Sequence, residues 1–304
     1  MRLILRATIC AALVLGLVAV YGKPATAQSG QDMLPEQSAA KAKQVLQQVI
    51  SALGGQAFLN VRDTDCQGRV AQFGSNGDVM GYTQFHDMWL LPDKNRTEYI
   101  VKGENALSGY LLEGLPVFTH GGITITAYDG DHGWMLDKSG VSDQPEDSIH
   151  DFTEALKTGM NNVLRSRMNE PGMEYHYAGT DLIDMKEAEW IEFTDRDHRE
   201  FHLAVEKYTH LPLRWVVVTR DKESRERTEM TTSYVQFLTT DGVKTPMNIV
   251  RSRDDRRLSQ TFFTGCKYNS NLAAQLFTRA ALQQRAPEVS KKGYKGSKED
   301  KDAK

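Results

Sequence analysis

The sequence is poor in cysteine, with three residues in a chain of 304, and this scarcity limits how the fold can be held together. A disulfide-built scaffold needs a much higher cysteine density, so a hydrophobic core must hold the fold instead. The chain also lacks a CxxC motif and any cysteine–histidine cluster with metal-ligand spacing. We therefore expect neither a metal site nor any other cofactor.

Long apolar runs are missing except at the N-terminus. Arg2 and Arg6 precede an uncharged apolar stretch over residues 7–21, and Ala25-Thr26-Ala27 follows it. This order is typical of a cleavable secretory signal, and the stretch is shorter than the roughly 20 residues that cross a bilayer. We predict a signal peptide at residues 1–27 and a periplasmic or secreted protein. An uncleaved N-terminal anchor is the alternative.

An excess of positive charge is missing as well. Without the predicted signal peptide, the chain has 277 residues with 34 basic and 40 acidic side chains, a net charge of −6. Binding to nucleic acid needs a basic face, so nucleic acid is not an expected partner. The remaining length can bury a sizeable core, and we expect a monomer.

Catalytic motifs are equally scarce. The sequence has no Gly-x-Ser-x-Gly elbow and no phosphate-binding glycine loop. His198 and His202 have the spacing of a zinc helix, but Arg199 stands where a metalloprotease needs Glu, and the segment is predicted to be a turn entering a strand. We expect no catalytic residues and no enzyme. A secreted hydrolase remains the weakest alternative, because a carboxylate pair can come from distant strands.

Helical periodicity appears in three segments. The first covers residues 42–53 and ends at Gly54-Gly55, and the third covers residues 271–284. The second runs from Pro145 to Met168, and its apolar side consists of Ile149, Phe152, Leu156, Met160, Val163, Leu164 and Met168. Residues 28–35 are predicted to be a flexible start. Residues 286–304 are predicted to be a disordered charged tail that folding does not need, because they carry almost no apolar surface.

Short strands separated by turn residues account for the rest of the chain. Turns such as Asn76-Gly77 and Asp241-Gly242 join neighbouring strands as antiparallel hairpins. Phe201, Leu203 and Val205 alternate with polar residues, so one face is buried and the other is wet. The pattern predicts an α+β protein, mainly antiparallel β, with about 10–11 strands at residues 66–73, 79–86, 95–101, 123–128, 133–136, 189–194, 200–207, 213–220, 227–238, 243–251 and 258–268.

Several of these segments, taken in order, resemble the outer membrane lipoprotein-sorting family, which includes the LolA carriers and their LolB and LppX-like relatives. The segments are the first helix through Gly54-Gly55 to Val61-Arg62, Trp89-x-x-Pro92-x-Lys94-x-Arg96, Tyr128-Asp129-Gly130 before Gly133-Trp134, Thr209-His210-Leu211-Pro212-Leu213, Asp241-Gly242-Val243-Lys244-Thr245-Pro246, and Asn271-Leu272 before Leu276-Phe277. The resemblance implies one domain at residues 36–285: an open half-barrel of antiparallel strands, covered by helices, with an apolar cavity for acyl chains.

A curved sheet of this kind has a concave apolar face, and a cavity left open there would bind apolar ligands. We expect the helix from Pro145 to Met168 to form a lid, with a lipid or an acylated protein held beneath it. The expected ligand-binding residues are Phe152, Leu156, Met160, Leu164, Phe201, Leu203, Val205, Trp215, Val217 and Phe262. In the alternative, the face packs solidly against the helices, and the protein is an envelope interaction or sensor module with a protein partner.

Cys66 and Cys266 would both remain after signal cleavage. They lie in predicted strands, and an oxidising compartment favours their pairing, although two buried thiols are the alternative. The bond would close a loop of about 200 residues and stabilise the fold by roughly 5 kcal/mol on a chain-entropy estimate. Thiol titration of the denatured, unreduced mature protein should detect no free thiol, and detection of two would contradict the pairing.

Overall fold

A computed structural model describes residues 33–101, 107–111, 115–119, 122–220 and 226–291. The predicted signal peptide, most of the flexible start and the end of the tail lie outside the described residues. The helices are α1 (Pro35–Leu53), α2 (Gln56–Leu59), α3 (Glu146–Thr158), α4 (Met160–Asn162), a π turn (Val163–Arg167), a 3₁₀ turn (Ala274–Phe277) and α5 (Arg279–Lys291).

The strands form one large antiparallel sheet and a separate hairpin. Their bounds are β1 Asp63–Phe73, β2 Val79–Leu90, β3 Lys94–Val101, β4 Leu107–Leu111, β5 Leu115–Thr119, β6 Gly122–Asp129, β7 His132–Asp137, β8 Gly140–Asp143, β9 Glu174–Ile183, β10 Lys186–Thr194, β11 Glu200–Glu206, β12 Pro212–Arg220, β13 Arg227–Thr240, β14 Val243–Arg253 and β15 Arg256–Tyr268. The 13-stranded sheet has the order β8-β7-β6-β3-β2-β1-β15-β14-β13-β12-β11-β10-β9, and β4 pairs with β5.

The α+β, mainly antiparallel class is therefore confirmed, but the expected count of 10–11 strands is too low. The expectation missed β8, which has four residues, and the edge strand β9, on which few side chains are buried. It also missed the β4–β5 hairpin, whose backbone lies beside β1, β15, β6 and α3. Helical cover of the sheet is modest, since only a few helices lie against it.

The sheet consists of two meanders joined where β1 pairs with β15. Cys66 and Cys266 stand directly opposite each other in this pair, and the structure joins them by a disulfide across 200 residues of sequence. We call the face of the sheet that carries α1 and α3 the inner face, and the opposite face the outer face.

Helix α1 crosses the inner face from β9 to the turn between β13 and β14. At its start the Ser38 hydroxyl accepts a hydrogen bond from the Tyr177 amide at 2.8 Å. At its end Gly54 has φ 127°, and a Cβ there would lie 2.3 Å from the Gly242 carbonyl oxygen. Only glycine permits this approach. Most of the apolar side of α1, including Leu46 and Val49, is fully buried as the sequence periodicity predicted, and Ile50 is partly buried.

The sequence predicts one continuous second helix from Pro145 to Met168, but the structure breaks it. Gly159 is extended, with ψ 129°, and separates α3 from α4, which runs directly into the π turn. The expectation failed because the apolar spacing continues through Gly159, while glycine gives up more conformational freedom in a helix than any other residue. The break lets α3 and the α4–π segment contact different parts of the sheet.

A buried ion-pair cluster holds this broken helix against the β10–β11 turn. The Asp195 side chain, 1% exposed, accepts hydrogen bonds from the guanidinium groups of Arg167 at 3.0 Å and Arg199 at 3.1 Å. Arg199 also pairs with Glu154 of α3 at 3.1 Å. Burial acts to raise the pKa of Asp195, but hydrogen bonds from the Arg199 amide and from both guanidinium groups hold it below its usual value. Trp215 Nε1 adds a hydrogen bond to the Thr158 carbonyl at 2.9 Å.

Helix α5 packs on the outer face and corrects the expected tail boundary. It continues through Pro287 to Lys291, and Leu282 and Val289 are buried against Ile125, Ala127 and Leu136. The third helix also begins later than expected, because residues 271–273 are irregular and a 3₁₀ turn precedes α5. The tail was expected to be disordered because it carries almost no apolar surface, but its Val289 is buried and favours continuation of the helix.

Truncation after Ala286 should lower the melting temperature by several degrees, since it removes Val289 and burial of such a side chain contributes about 1.5–3 kcal/mol. Truncation after Lys291 keeps the whole of α5 and should leave the melting temperature unchanged. Differential scanning calorimetry of the two variants tests this difference, and equal melting temperatures would show that Val289 does not stabilise the fold.

The Asp195 cluster gives a second prediction. Asp195→Asn should reduce the free energy of unfolding at pH 7 by roughly 3 kcal/mol, because two partly buried guanidinium groups lose the buried carboxylate that they share. The pKa of Asp195 is lowered by folding, so its stabilisation is complete above the unfolded-state value and is lost as the pH falls below about 4.

Urea unfolding at pH 7 and pH 3 measures both effects. The difference in the free energy of unfolding between wild type and Asp195→Asn should be larger at pH 7 than at pH 3. The matched control is Asp197→Asn, which contacts the same Arg199 from a half-exposed position and should remain close to wild type. An equal decrease in the free energy of unfolding in the two variants would argue against a special role for the buried Asp195 carboxylate.

Candidate functional site

The structure separates the ten expected ligand-binding residues into four groups. One group is packed in the solid core, a second forms an aromatic cluster, a third lines a cleft, and one residue lies on the outer face. The sequence left open whether the inner face holds a cavity or a solid core. One part of the face is solid and another part is open.

The solid part is the inner face of β10 and β11. Leu164, Phe201, Leu203 and Val205 are each 0–1% exposed and pack in one cluster with the apolar side of α1. Helix α1 fills the space that the sequence assigned to a ligand. These four residues belong to the core and have no free surface for binding.

The aromatic cluster fixes α3 to the other half of the sheet. Phe152 stacks on Tyr128, with ring centroids 4.4 Å apart, and on Trp89 at 5.9 Å. Leu156 packs against the same group. This side of α3 is occupied by protein, so Phe152 and Leu156 position the helix and do not face a cavity.

Phe262 lies on the wrong face for the role expected of it. It stands opposite Asn248 of β14 and Arg69 of β1, on the outer face, and is 37% exposed. Its neighbours Thr261 and Phe263 are the ones that face inward. Two adjacent phenylalanines leave the strand alternation ambiguous, and the choice made from the sequence was incorrect.

Met160, Trp215 and Val217 do line a cleft of about 680 Å³ on the inner face. Strands β12–β14 form its floor, the exposed side of α3 and the α4–π segment form one wall, and Leu53 and Phe58 close the end next to α1. The sequence analysis missed most of the apolar lining, which adds Met230, Tyr234, Phe237, Pro246 and Ile249. Alternation in β13 could have indicated Met230 and Tyr234, because both share a face with Trp215 through strand pairing.

A smaller pocket of about 130 Å³ adjoins the cleft beneath the break at Gly159. It is lined by both cysteines of the disulfide and by Asp87, Trp89 and Phe263. Gly159, Arg165 and Tyr268 border both spaces. The Tyr268 hydroxyl lies 2.8 Å from that of Thr245, and burial raises the pKa of the phenol.

Charged side chains surround the apolar floor. Arg199 pairs with Glu154, and Arg220 pairs with Glu200 at 3.1 Å, so the rim contains both signs of charge. Arg165 differs from these rim arginines. It donates from Nε to the Phe58 carbonyl at 3.0 Å, lies 4.4 Å from the centre of the Phe58 ring, and burial lowers its pKa to about 10.

The arrangement suits binding of an amphiphilic molecule. In the described parts of the chain, no three His, Cys, Asp or Glu side chains are grouped as metal ligands. His198 and His202 lie in the β10–β11 turn and in β11, where the sequence placed them. A search of the described helices finds none that is long and apolar enough to cross a membrane.

Comparison with known proteins identifies the architecture. Neither a protein-family profile nor a curated protein sequence matches the chain. A solved DUF1329 family protein from Desulfovibrio piger is 14% identical, with 80% of this chain and 99% of that one covered and a TM-score of 0.51. A LolA superfamily protein from Nitrosomonas europaea is 13% identical, with 79% and 99% covered and a TM-score of 0.50.

A third solved structure, an outer membrane lipoprotein-sorting protein domain from Vibrio parahaemolyticus, is 10% identical, with 81% and 99% covered and a TM-score of 0.48. The first two likenesses span nearly the whole of the solved chains and agree with the resemblance found in the sequence. The chain therefore has the fold of the LolA superfamily.

Proposed function

We propose that this protein is a non-catalytic carrier of the bacterial cell envelope that holds an acyl chain, from a lipid or an acylated protein, in the inner-face cleft. The observation that carries the proposal is the open, mainly apolar cleft between α3 and β12–β14, beside the part of the inner face at β10 and β11 that α1 fills. Its volume of about 680 Å³ is within the roughly 300–1,000 Å³ of small-molecule sites.

The lining of the cleft fits a flexible apolar ligand. Trp215, Val217, Tyr234 and Ile249 supply apolar surface on a floor that also contains Thr232, Arg251 and Arg253. Met160 and Met230 adapt readily to chains of different shape. Removing apolar surface from water gives about 25 cal/mol per Å², so a long chain gains affinity mainly by contact with this floor. The charged rim would keep the ligand's polar end at the mouth.

The fixed position of α3 also supports a preformed site. The Asp195 ion-pair cluster holds one side of the broken helix and the Phe152 aromatic cluster holds the other. These two attachments fix α3 along one wall of the cleft, which favours a cleft that is open before a ligand binds. Such preorganisation favours binding because less conformational freedom is lost.

A protein-interaction module is the second candidate. Leu182, near the end of the edge strand β9, is 60% exposed, and Met185, in the turn that follows, is 88% exposed. An exposed edge strand can pair with a segment of another chain. Mass spectrometry of an organic extract separates the candidates, since a carrier purified from its native envelope should bring lipid with it and a module should not.

Filling the cleft provides the direct test of acyl binding. Val217→Trp places a large ring on the cleft floor and should weaken binding of a fluorescent fatty acyl probe at least tenfold, because the ring occupies the volume that the chain needs. The matched control is Val235→Trp, which makes the same change on the outer face of β13, where Val235 is 45% exposed.

The control should bind the probe as the wild type does. Circular dichroism should show the same sheet content in all three proteins. Equal binding by wild type and Val217→Trp would place the acyl chain elsewhere, and absence of binding by the wild type, together with a lipid-free extract, would overturn the carrier proposal.

A further inference from the structure

Arg165 occupies an unusual position for a charged residue. It projects from the π turn to the junction of the cleft and the smaller pocket, and it borders both. Its Nε group is bound to the Phe58 carbonyl, and its guanidinium lies over the Phe58 ring, so its orientation is fixed from one side.

Within the described residues, the two terminal amino groups of Arg165 form no hydrogen bond. The side chain forms no ion pair with any carboxylate in the described ranges, and its one hydrogen bond there uses Nε. Arginine carries five N–H donors in a planar fork, and four of them belong to these terminal groups. Because Arg165 lines both the cleft and the smaller pocket, a ligand bound there can reach these donors.

Three neighbouring arginines differ from Arg165 because each of them pairs with a carboxylate. Arg167 and Arg199 share the Asp195 carboxylate, and Arg220 pairs with Glu200. Arg165 is partly buried, and a cation removed from water without an anion is destabilised, so a ligand that supplies negative charge would be stabilised beside it. A π turn adds to the argument, because this rare widening of a helix occurs frequently at functional sites.

We propose that Arg165 binds the anionic group of an acyl ligand, either the carboxylate of a fatty acid or the phosphate of a phospholipid. This inference rests on the proposed function and adds the chemical class of the ligand. The fork of Arg165 is suited to a bidentate contact with two anionic oxygens. The acyl chain then extends from Arg165 along the apolar floor past Ile249 and Val217.

Arg165→Met tests the contact, since methionine keeps an unbranched apolar stem beside Phe58 and removes the donors. Arg165→Lys keeps the charge and loses the fork. Arg62→Met removes an exposed arginine that lines neither pocket and serves as the control. The probes are a tail-labelled fluorescent fatty acid, its methyl ester, and, as unlabelled competitors, phosphatidic acid and diacylglycerol.

Wild type should bind the fatty acid more tightly than its ester, or phosphatidic acid more tightly than diacylglycerol, by about ten- to a hundredfold, as expected for a charge-assisted contact. Tighter binding of the fatty acid than of its ester identifies a carboxylate as the bound group. Tighter binding of phosphatidic acid than of diacylglycerol identifies a phosphate. Arg165→Met should lose the preference while still binding the neutral probe, Arg165→Lys should keep part of it, and Arg62→Met should retain it.

Equal affinity of wild type for anionic and neutral probes would overturn the anchor and leave the acyl-carrier proposal standing. A preference that persists in Arg165→Met would also overturn it. If none of the four molecules binds to wild type, the proposed function itself fails. The comparison of acid and ester on wild type stays decisive even if Arg165→Met does not fold.

Discussion

The pairing of β1 with β15 is the contact on which the rest of the structure depends. These strands lie about 200 residues apart in the chain, yet they unite two meanders into a single sheet, and the bond between Cys66 and Cys266 crosses the pair at directly opposed positions. Without this contact each meander would expose a further edge. The smaller pocket would also lose the part of its lining that β1 and β2 supply, including Cys66, Asp87 and Trp89.

Once the sheet is formed, the distribution of helices decides where space remains. Helix α1 buries its apolar side against β10 and β11 and leaves no room there. Helix α3 is attached at two places, by Phe152 to the aromatic cluster and by Glu154 to the arginine cluster, and it spans the interval between them. The cleft is the part of the inner face that neither helix fills. Arg165 adds a fixed charge at its inner end.

The sequence predicted the class, the antiparallel order of most strands and the apolar side of α1, because these depend on local periodicity and on turn residues. It failed where long-range packing overrides local preference. Gly159 breaks a helix that its apolar spacing would continue, and Val289 extends α5 beyond Pro287 because Ile125 and Leu136 offer it an apolar surface.

The candidate site was predictable only in part, for the same reason. Alternation shows that Leu203 and Val217 face inward, but not that α1 covers the first and leaves the second open. Alternation was ambiguous at Phe262, where two aromatic residues are adjacent. Arg165 gave no sequence signal, since its importance comes from the lack of a partner in space. Burial and charge balance become visible only when distant elements are placed together.

In the proposed function, an acyl chain lies on the floor of this cleft. Photocrosslinking with a fatty acid that carries a diazirine near its tail, followed by peptide mass spectrometry, locates the bound chain directly. If the acyl chain lies in the cleft, we expect labelling within residues 151–165 of the broken helix and within β12–β14. Labelling confined to α5 or to the outer face of the sheet would contradict it.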